Sequence, residues 1–185
     1  MEVVIISGLS GAGKTQAANC LEDMGYYTVD NLPPALVKNF IELAMSERNL
    51  IEKAAFVIDI RGGDFFVVIR PCLAYLKEKE LSHKVMFLEA SNEVLIRRFK
   101  ETRRLHPLNQ DGENLVGIEK EREILSYLRN VADYVIDTSN MKSAKLKQEI
   151  KSIFEDGEEE TKFIVNIMSF GFKHGIPLEA DMVFD

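Results

Sequence analysis

The sequence predicts an α/β fold in which a parallel sheet of about five strands carries helices on both faces. Two observations predict it. Short apolar segments rich in β-branched residues alternate along the chain with longer segments whose apolar residues recur at helical spacing. The short segments are apolar throughout, which is typical of parallel strands buried on both faces. The helical connections between such strands are expected to be right-handed.

Strands and helices alternate along the first 154 residues. The predicted strands are residues 3–7, 26–29, 54–60, 85–89 and 134–136. The predicted helices are residues 14–24, 33–45, 64–80, 92–101, 117–130 and 143–154. Gly25 marks the end of the first helix and Pro33 the start of the second, because glycine often ends helices and proline often opens them. Pro71 falls inside the third helix, which it is expected to kink or break.

An acidic segment interrupts this pattern after the last predicted helix. Residues 155–160 contain five acids in six positions, a composition typical of a solvated linker. We therefore predict a first domain over residues 1–154 and a linker over residues 155–161. Residues 162–185 open with a β-like segment and are too few to fold alone, so they are interpreted as the start of a truncated C-terminal domain.

Composition excludes several classes of protein. The chain has 185 residues, of which 46% are hydrophobic, and a formal net charge of −7, so it is neither disordered nor a basic nucleic-acid binder as a whole. No apolar segment approaches the roughly 20 residues that span a bilayer, and the N-terminus lacks the positive charge of a signal peptide. The two cysteines, Cys20 and Cys72, lie far apart in apolar helical segments. We expect reduced thiols, a cytoplasmic location and no membrane association.

A phosphate-binding motif follows the first predicted strand and opens the first helix. It matches G-x-x-x-x-G-K-[ST] without a mismatch, and its residues are Gly8, Leu9, Ser10, Gly11, Ala12, Gly13, Lys14 and Thr15. Its glycines let backbone N–H groups turn inward toward phosphate oxygens, and the helix start adds a positive dipole end. Lys14 is expected to reach the β- and γ-phosphates, and the Thr15 hydroxyl to ligate Mg²⁺. The sequence therefore predicts a kinase-like P-loop NTPase domain that binds ATP or GTP with Mg²⁺.

Two aspartates follow strands next to this motif. Asp59 ends the third predicted strand, where a carboxylate can hold Mg²⁺ or orient the attacking water. Asp30 ends the second strand and is the second choice for this role, since Asp30 or Asn31 before a proline-opened helix is also an ordinary helix cap. Arg61 lies two residues beyond Asp59 and is placed to contact phosphate.

Five cations occur within the eight residues 97–104. If this segment is helical, Arg97, Lys100 and Arg104 share a face. Three interpretations remain: an arginine-rich lid over the nucleotide, an RNA-binding surface, or a solvated helix face. We favour the lid and assign catalytic roles to Arg103 and Arg104, beside those of Lys14 and Asp59.

Two further polar segments have structural interpretations. His106 is expected to pack in a loop rather than to act in catalysis. Residues 119–123 alternate in charge, as exposed helices with ion pairs do, and Arg122 and Arg129 fall on one face. Either arginine could reach the nucleotide, but exposed ion pairs are the preferred interpretation.

The motifs together resemble the RapZ/YvcJ family of bacterial P-loop nucleotide-binding proteins. The resemblance rests on segments spread over nearly the whole chain: residues 8–15, 25–27, 29–33, 59–61, 103–108, 121–122, 132–139 and 169–177. It implies binding and slow hydrolysis of ATP and GTP, with nucleotide contacts at Gly8 to Thr15. It also implies a guanine-nucleotide motif formed by Asp59, Ile60, Arg61 and Gly62. Family members have a second, C-terminal domain, which in some serves RNA binding and a regulatory role in amino-sugar metabolism.

The predicted function is a nucleotide-binding regulatory protein that hydrolyses ATP or GTP slowly. A small-molecule or nucleotide kinase is the first alternative, and a non-hydrolysing nucleotide-sensing adapter is the second. RNA or a protein partner would act through the C-terminal domain, and a homo-oligomer is a further option.

Overall fold

The computed structural model describes residues 1–46, 51–59, 65–109, 114–154, 170–171 and 182–183. The chain divides into one structural unit over Met1–Phe154 and another over Glu155–Asp185. The predicted linker and most of the β-like segment after it lie outside the described residues, so the domain boundaries stay a prediction. The described strands and helices belong to the first unit.

Strands and helices alternate throughout this unit. The strands are β1 (Glu2–Gly8), β2 (Tyr27–Val29), β3 (Lys53–Val57), β4 (Ser82–Glu89) and β5 (Tyr134–Asp137). The helices are α1 (Lys14–Asp23), α2 (Pro34–Ser46), α3 (Phe65–Glu78), α4 (Asn92–Glu101), α5 (Asn114–Val131) and α6 (Ser143–Phe154). The described strands form one sheet in the order β2-β3-β1-β4-β5, and every neighbouring pair is parallel. The predicted α/β fold is confirmed.

Strands β3 and β4 and helix α3 differ from the prediction. Strand β4 begins at Ser82 rather than residue 85, because Ser82 pairs with Glu2 at the polar amino end of the sheet. Strand β3 ends at Val57 rather than residue 60. Helix α3 continues through Pro71, so this proline does not break the helix.

Strand β1 forms the centre of the core. Val3, Val4, Ile5 and Ile6 are completely buried between β3 and β4. Burying a side chain of this size contributes about 1.5–3 kcal/mol, so β1 is held firmly up to the point where the phosphate motif begins. Within the described part of the chain, no helix is both long and apolar enough to cross a membrane.

The strand order reverses around β1. Helix α3 carries the chain from β3, on one side of β1, to β4 on the other. Ligands of open α/β sheets bind beyond the carboxyl ends of the strands at such a reversal. The segment that follows β1 at this edge is the motif Gly8–Thr15, which we call the P-loop.

Candidate functional site

The P-loop adopts a backbone conformation that depends on its glycines. Gly8, Gly11 and Gly13 have φ angles of 141°, 84° and 107°, which side chains rarely tolerate. A Cβ atom on Gly8 would lie only 2.1 Å from the Leu88 carbonyl oxygen. The adjacent Leu9 N–H donates to the same oxygen at 3.0 Å. The P-loop is therefore fixed closely against β4.

Several backbone N–H groups of the P-loop have no acceptor among the described residues. They belong to Gly11, Gly13, Lys14 and Thr15, where the loop leads into α1. The Ala12 N–H donates to the Leu9 carbonyl and tightens the turn between them. Successive unpaired N–H groups at a helix start form a concave donor surface for an anion.

Lys14 and Asp59 lie together at the mouth of the P-loop. The Lys14 Nζ atom donates to the Gly8 carbonyl at 2.7 Å and lies 3.5 Å from an oxygen of Asp59. The Ile58 N–H donates to the Ile6 carbonyl at 2.9 Å, which continues the β1–β3 pairing and aligns Asp59 with the P-loop. The Thr15 side chain is exposed to solvent in the first turn of α1.

The second-choice acid, Asp30, is exposed in the turn after β2. Helix α2 begins at Pro34, so neither Asp30 nor Asn31 is the residue directly before it, and the helix-cap interpretation is wrong. The acid that pairs with Lys14 in the described structure is Asp59. Ile60, Arg61 and Gly62 lie outside the described residues.

Arg98, one of the five cations of residues 97–104, contacts the P-loop, although no individual role was predicted for it. Its guanidinium donates to the Gly11 carbonyl at 2.9 Å and to the Thr138 carbonyl at 2.8 Å. The Thr138 hydroxyl donates to the Ala12 carbonyl at 2.8 Å. Burial of the guanidinium is the main cause of a lowered pKa for Arg98. Arg98 and Thr138 therefore hold the outer side of the P-loop.

Arg103 and Arg104 lie beyond the end of α4 and are exposed. Because the helix ends at Glu101, the prediction that Arg104 shares a helix face with Arg97 and Lys100 is wrong. Arg103 has a φ angle of 51°, so the chain turns sharply away from the helix axis. No hydrogen bond or ion pair of the Arg103 or Arg104 side chain is found within the described residues. The structure thus does not bring them into contact with the P-loop.

A buried carboxylate on the inner side of the P-loop was missed by sequence reasoning. Glu121 of α5 accepts hydrogen bonds from the Ser10 N–H at 2.8 Å and the Ser10 hydroxyl at 2.7 Å. His106 lies 3.0 Å from the same carboxylate, and both side chains are almost fully buried. The prediction that residues 119–123 form an exposed charged helix is therefore wrong at Glu121. A signal was present, since Glu121 falls in the helical spacing of the buried Ile118, Leu125 and Leu128.

Two other acids at this edge of the sheet, Glu89 and Asp137, have structural partners. Glu89, at the end of β4, accepts two hydrogen bonds from Arg129, at 2.7 and 2.9 Å, which hold its pKa below the usual range. Asp137, at the end of β5, accepts from the hydroxyl and N–H of Ser139, which likewise lower its pKa. Arg129 thus makes a structural ion pair, as preferred. Arg122 instead donates to the Asn92 side chain at 3.0 Å and to the Ala90 carbonyl. Asp59 is the acid of this edge that faces Lys14.

A cleft of about 440 Å³ opens beside the P-loop. Residues 11–13 of the P-loop and Arg98 form one wall, and the loop from Thr138 to Ser143 forms another. Met141 and Leu146 contribute apolar surface. The cleft thus extends from the part of the P-loop that carries unpaired N–H groups to the apolar surface of Met141 and Leu146.

Comparison with known proteins identifies the family. Residues 1–158 match the family model of the RapZ-like N-terminal domain. The chain belongs to this family. The family resemblance inferred from the motifs is therefore confirmed.

Curated relatives of this RapZ-like domain are longer proteins. A nucleotide-binding protein of Caldanaerobacter subterraneus subsp. tengcongensis is 52% identical over 185 residues, which cover 100% of this chain and 65% of the relative. A nucleotide-binding protein of Acetivibrio thermocellus is also 52% identical, with coverage of 100% and 64%. The chain thus spans a little less than two-thirds of the length of these relatives.

Solved structures show the same fold as this RapZ-like domain at low sequence identity. Shikimate kinase from Acinetobacter baumannii has a TM-score of 0.56 and 20% identity, over 82% of this chain and 91% of the kinase. The tunicamycin resistance protein of Deinococcus radiodurans has a TM-score of 0.56 and 15% identity, over 83% and 95% of the two chains. The fold is therefore that of the P-loop kinases, as predicted.

Proposed function

We propose that this chain binds ATP or GTP with Mg²⁺ at the P-loop and hydrolyses it slowly as a regulatory switch. The observation that carries the proposal is the donor surface beside the Lys14 ammonium. It is formed by the four unpaired backbone N–H groups of Gly11, Gly13, Lys14 and Thr15. These groups can surround the negative charge of a polyphosphate. The names of the curated relatives, nucleotide-binding proteins, support the same proposal.

The P-loop is built to hold its shape when phosphate binds. Arg98 and Thr138 donate hydrogen bonds to its outward carbonyls at Gly11 and Ala12. On the other side, Glu121 accepts from the Ser10 N–H. Carbonyl oxygens turned toward these partners cannot repel a phosphate. The remaining N–H groups face the anion with little need to reorganise, which favours both binding and catalysis.

Mg²⁺ fits the residues present. The described residues contain no group of three or more His, Cys, Asp or Glu side chains that could hold a metal ion by themselves. Mg²⁺ is usually held by one or two protein oxygens together with nucleotide phosphates, and Thr15 and Asp59 offer such oxygens. When bound, it would neutralise phosphate charge, while Lys14 contacts the phosphates and the Asp59 carboxylate orients the attacking water.

The cleft beside the P-loop suits the nucleoside. Its volume lies within the range of small-molecule sites, and Met141 and Leu146 can pack against the flat face of a base. Leu146 lies next to Gly13 of the P-loop, and Arg98 contacts the Gly11 carbonyl in the same cleft. We therefore place the base near the β5–α6 loop and the phosphates at Gly11 to Thr15.

Titration of the chain with nucleotides tests this proposal. We expect one molecule of ATP or GTP per chain by calorimetry, with affinity about tenfold or more higher in the presence of Mg²⁺. AMP is the matched control, because it offers the base and ribose but not the β- and γ-phosphates. Equal affinity for AMP and ATP would show that the P-loop is not the phosphate site. Phosphate release strongly stimulated by one acceptor molecule would indicate a kinase instead.

The exposed arginines after α4 give a second test. If Arg103 and Arg104 close over the nucleotide, replacing both with glutamine should lower kcat about tenfold or more and change nucleotide affinity much less. They would then act mainly in the transition state. Phosphate-release kinetics and calorimetry measure the two quantities.

The matched control for this test is the double variant Arg97→Gln and Lys100→Gln. It removes the same charge from the exposed side of α4, where Arg97 is paired only loosely with Glu101 at 4.0 Å. Unchanged kcat in the Arg103 and Arg104 variant would eliminate the lid. If RNA affinity falls at constant kcat, with a flatter salt dependence, the segment is an RNA-binding surface.

A further inference from the structure

The loop that carries Arg103 and Arg104 is joined to the P-loop by a buried hydrogen-bonded chain. The chain runs from Ser10 through the Glu121 carboxylate to the His106 imidazole. The Leu108 N–H donates to Nδ1 of His106 at 3.1 Å, so this nitrogen carries no proton. The proton therefore lies on Nε2, which donates to Glu121. Three donors thus converge on one buried carboxylate.

The imidazole of His106 is held by packing as well as by hydrogen bonds. Its ring meets the ring of Phe99 edge to face, with centroids 5.3 Å apart. On the opposite element, a Cβ atom on Gly117 would lie 2.6 Å from Nδ1, so glycine is required there for the ring to fit. The backbone N–H of His106 also donates to the side-chain oxygen of Asn114 at 3.0 Å. His106, together with the Asn109 amide that donates to Asn114 at 3.2 Å, thus attaches the loop of residues 102–109 to α5.

We propose that Glu121 and His106 are positioning residues that couple nucleotide occupancy of the P-loop to the conformation of residues 102–109. The inference rests on the proposed function, since it needs a ligand at the P-loop. In this hydrogen-bonded chain the Glu121 carboxylate accepts from Ser10 on one side and from His106 on the other. If either partner moves alone, a buried donor loses its acceptor. Leaving such a group unpaired is costly, so movement at Ser10 is transmitted to His106.

The arrangement differs from a nucleophilic triad. In a triad the imidazole contacts the hydroxyl and removes its proton, whereas here the carboxylate lies between Ser10 and His106. The Ser10 hydroxyl donates a hydrogen bond to a carboxylate that already accepts two others. A positioning role is therefore the one that this geometry supports.

Hydrogen exchange of the 185-residue chain tests the coupling. With saturating Mg²⁺–ATP, we expect slower exchange both in residues 8–15 and in residues 102–109, by about fivefold or more in the latter. In Glu121→Leu, exchange in residues 8–15 should still slow at saturating nucleotide, while residues 102–109 should no longer respond. In Glu121→Gln the response should persist, because an amide oxygen can accept from the Ser10 N–H and His106 while the amide N–H donates to the Ser10 hydroxyl.

The control is Leu125→Ala, which removes a buried side chain one turn along the same face of α5. It should lower stability but keep the response of residues 102–109. Loss of the response in Leu125→Ala would reduce Glu121 to a structural residue and overturn the proposal. So would a wild-type chain in which residues 8–15 respond and residues 102–109 do not, a result that needs no variant to fold. No response in either segment would instead refute the proposed nucleotide site.

Discussion

Replacing Lys14 with alanine should weaken the binding of Mg²⁺–ATP about 100-fold. The Lys14 ammonium lies at the mouth of the P-loop, 2.7 Å from the Gly8 carbonyl, where it can move to a β- or γ-phosphate oxygen without leaving the loop. A hydrogen bond between charged groups contributes about 1.5–3 kcal/mol, and the direct attraction of the phosphates is lost as well. Calorimetric titration of the variant with Mg²⁺–ATP measures the effect.

The fold should survive this change. The ion pair between Lys14 and Asp59 is 3.5 Å long, and Asp59 retains some exposure, so water can solvate the carboxylate once the lysine is gone. Lys38→Ala is the matched control, because this lysine is exposed on α2 and pairs with Glu42 at 3.8 Å. Wild-type affinity in Lys14→Ala, with normal thermal unfolding, would contradict the proposed function directly.

The parts of the site that could be predicted depend on contiguous residues or on the geometry of a parallel sheet. The P-loop could be recognised because strand, glycines, lysine and helix follow one another within a few residues, and backbone sterics leave Gly8, Gly11 and Gly13 few alternatives. The parallel sheet could be predicted for a similar reason, since its strands are continuously apolar. Asp59 could be placed because parallel strands end at one edge of the sheet.

The supporting contacts depend on tertiary packing and could not be predicted in the same way. Arg97 and Arg98 are neighbours with identical side chains, yet only the rotation of α4 about its axis turns Arg98 toward Thr138 and leaves Arg97 in solvent. Glu121 lies 111 residues from Ser10, and no local pattern specifies that pairing. A charged residue within an apolar helical stripe indicates a buried partner, but does not identify it.

Asp59→Asn should keep most of the affinity for nucleotide and lose most of its hydrolysis. An amide has the size of the carboxylate and can still accept a hydrogen bond from Lys14, so the mouth of the P-loop keeps its shape. The negative charge that would hold Mg²⁺ and orient water disappears, and the loss of one such group typically lowers turnover about 100-fold. Asp30→Asn is the matched control, because Asp30 follows the neighbouring strand and is exposed, and the acid that pairs with Lys14 is Asp59. Steady-state phosphate release, measured across a range of Mg²⁺ concentrations, compares the two variants. The opposite result is unchanged turnover in Asp59→Asn and lost turnover in Asp30→Asn. It would assign the metal to Asp30 at the end of β2, and the attacking water would then approach the phosphates from that side of the site.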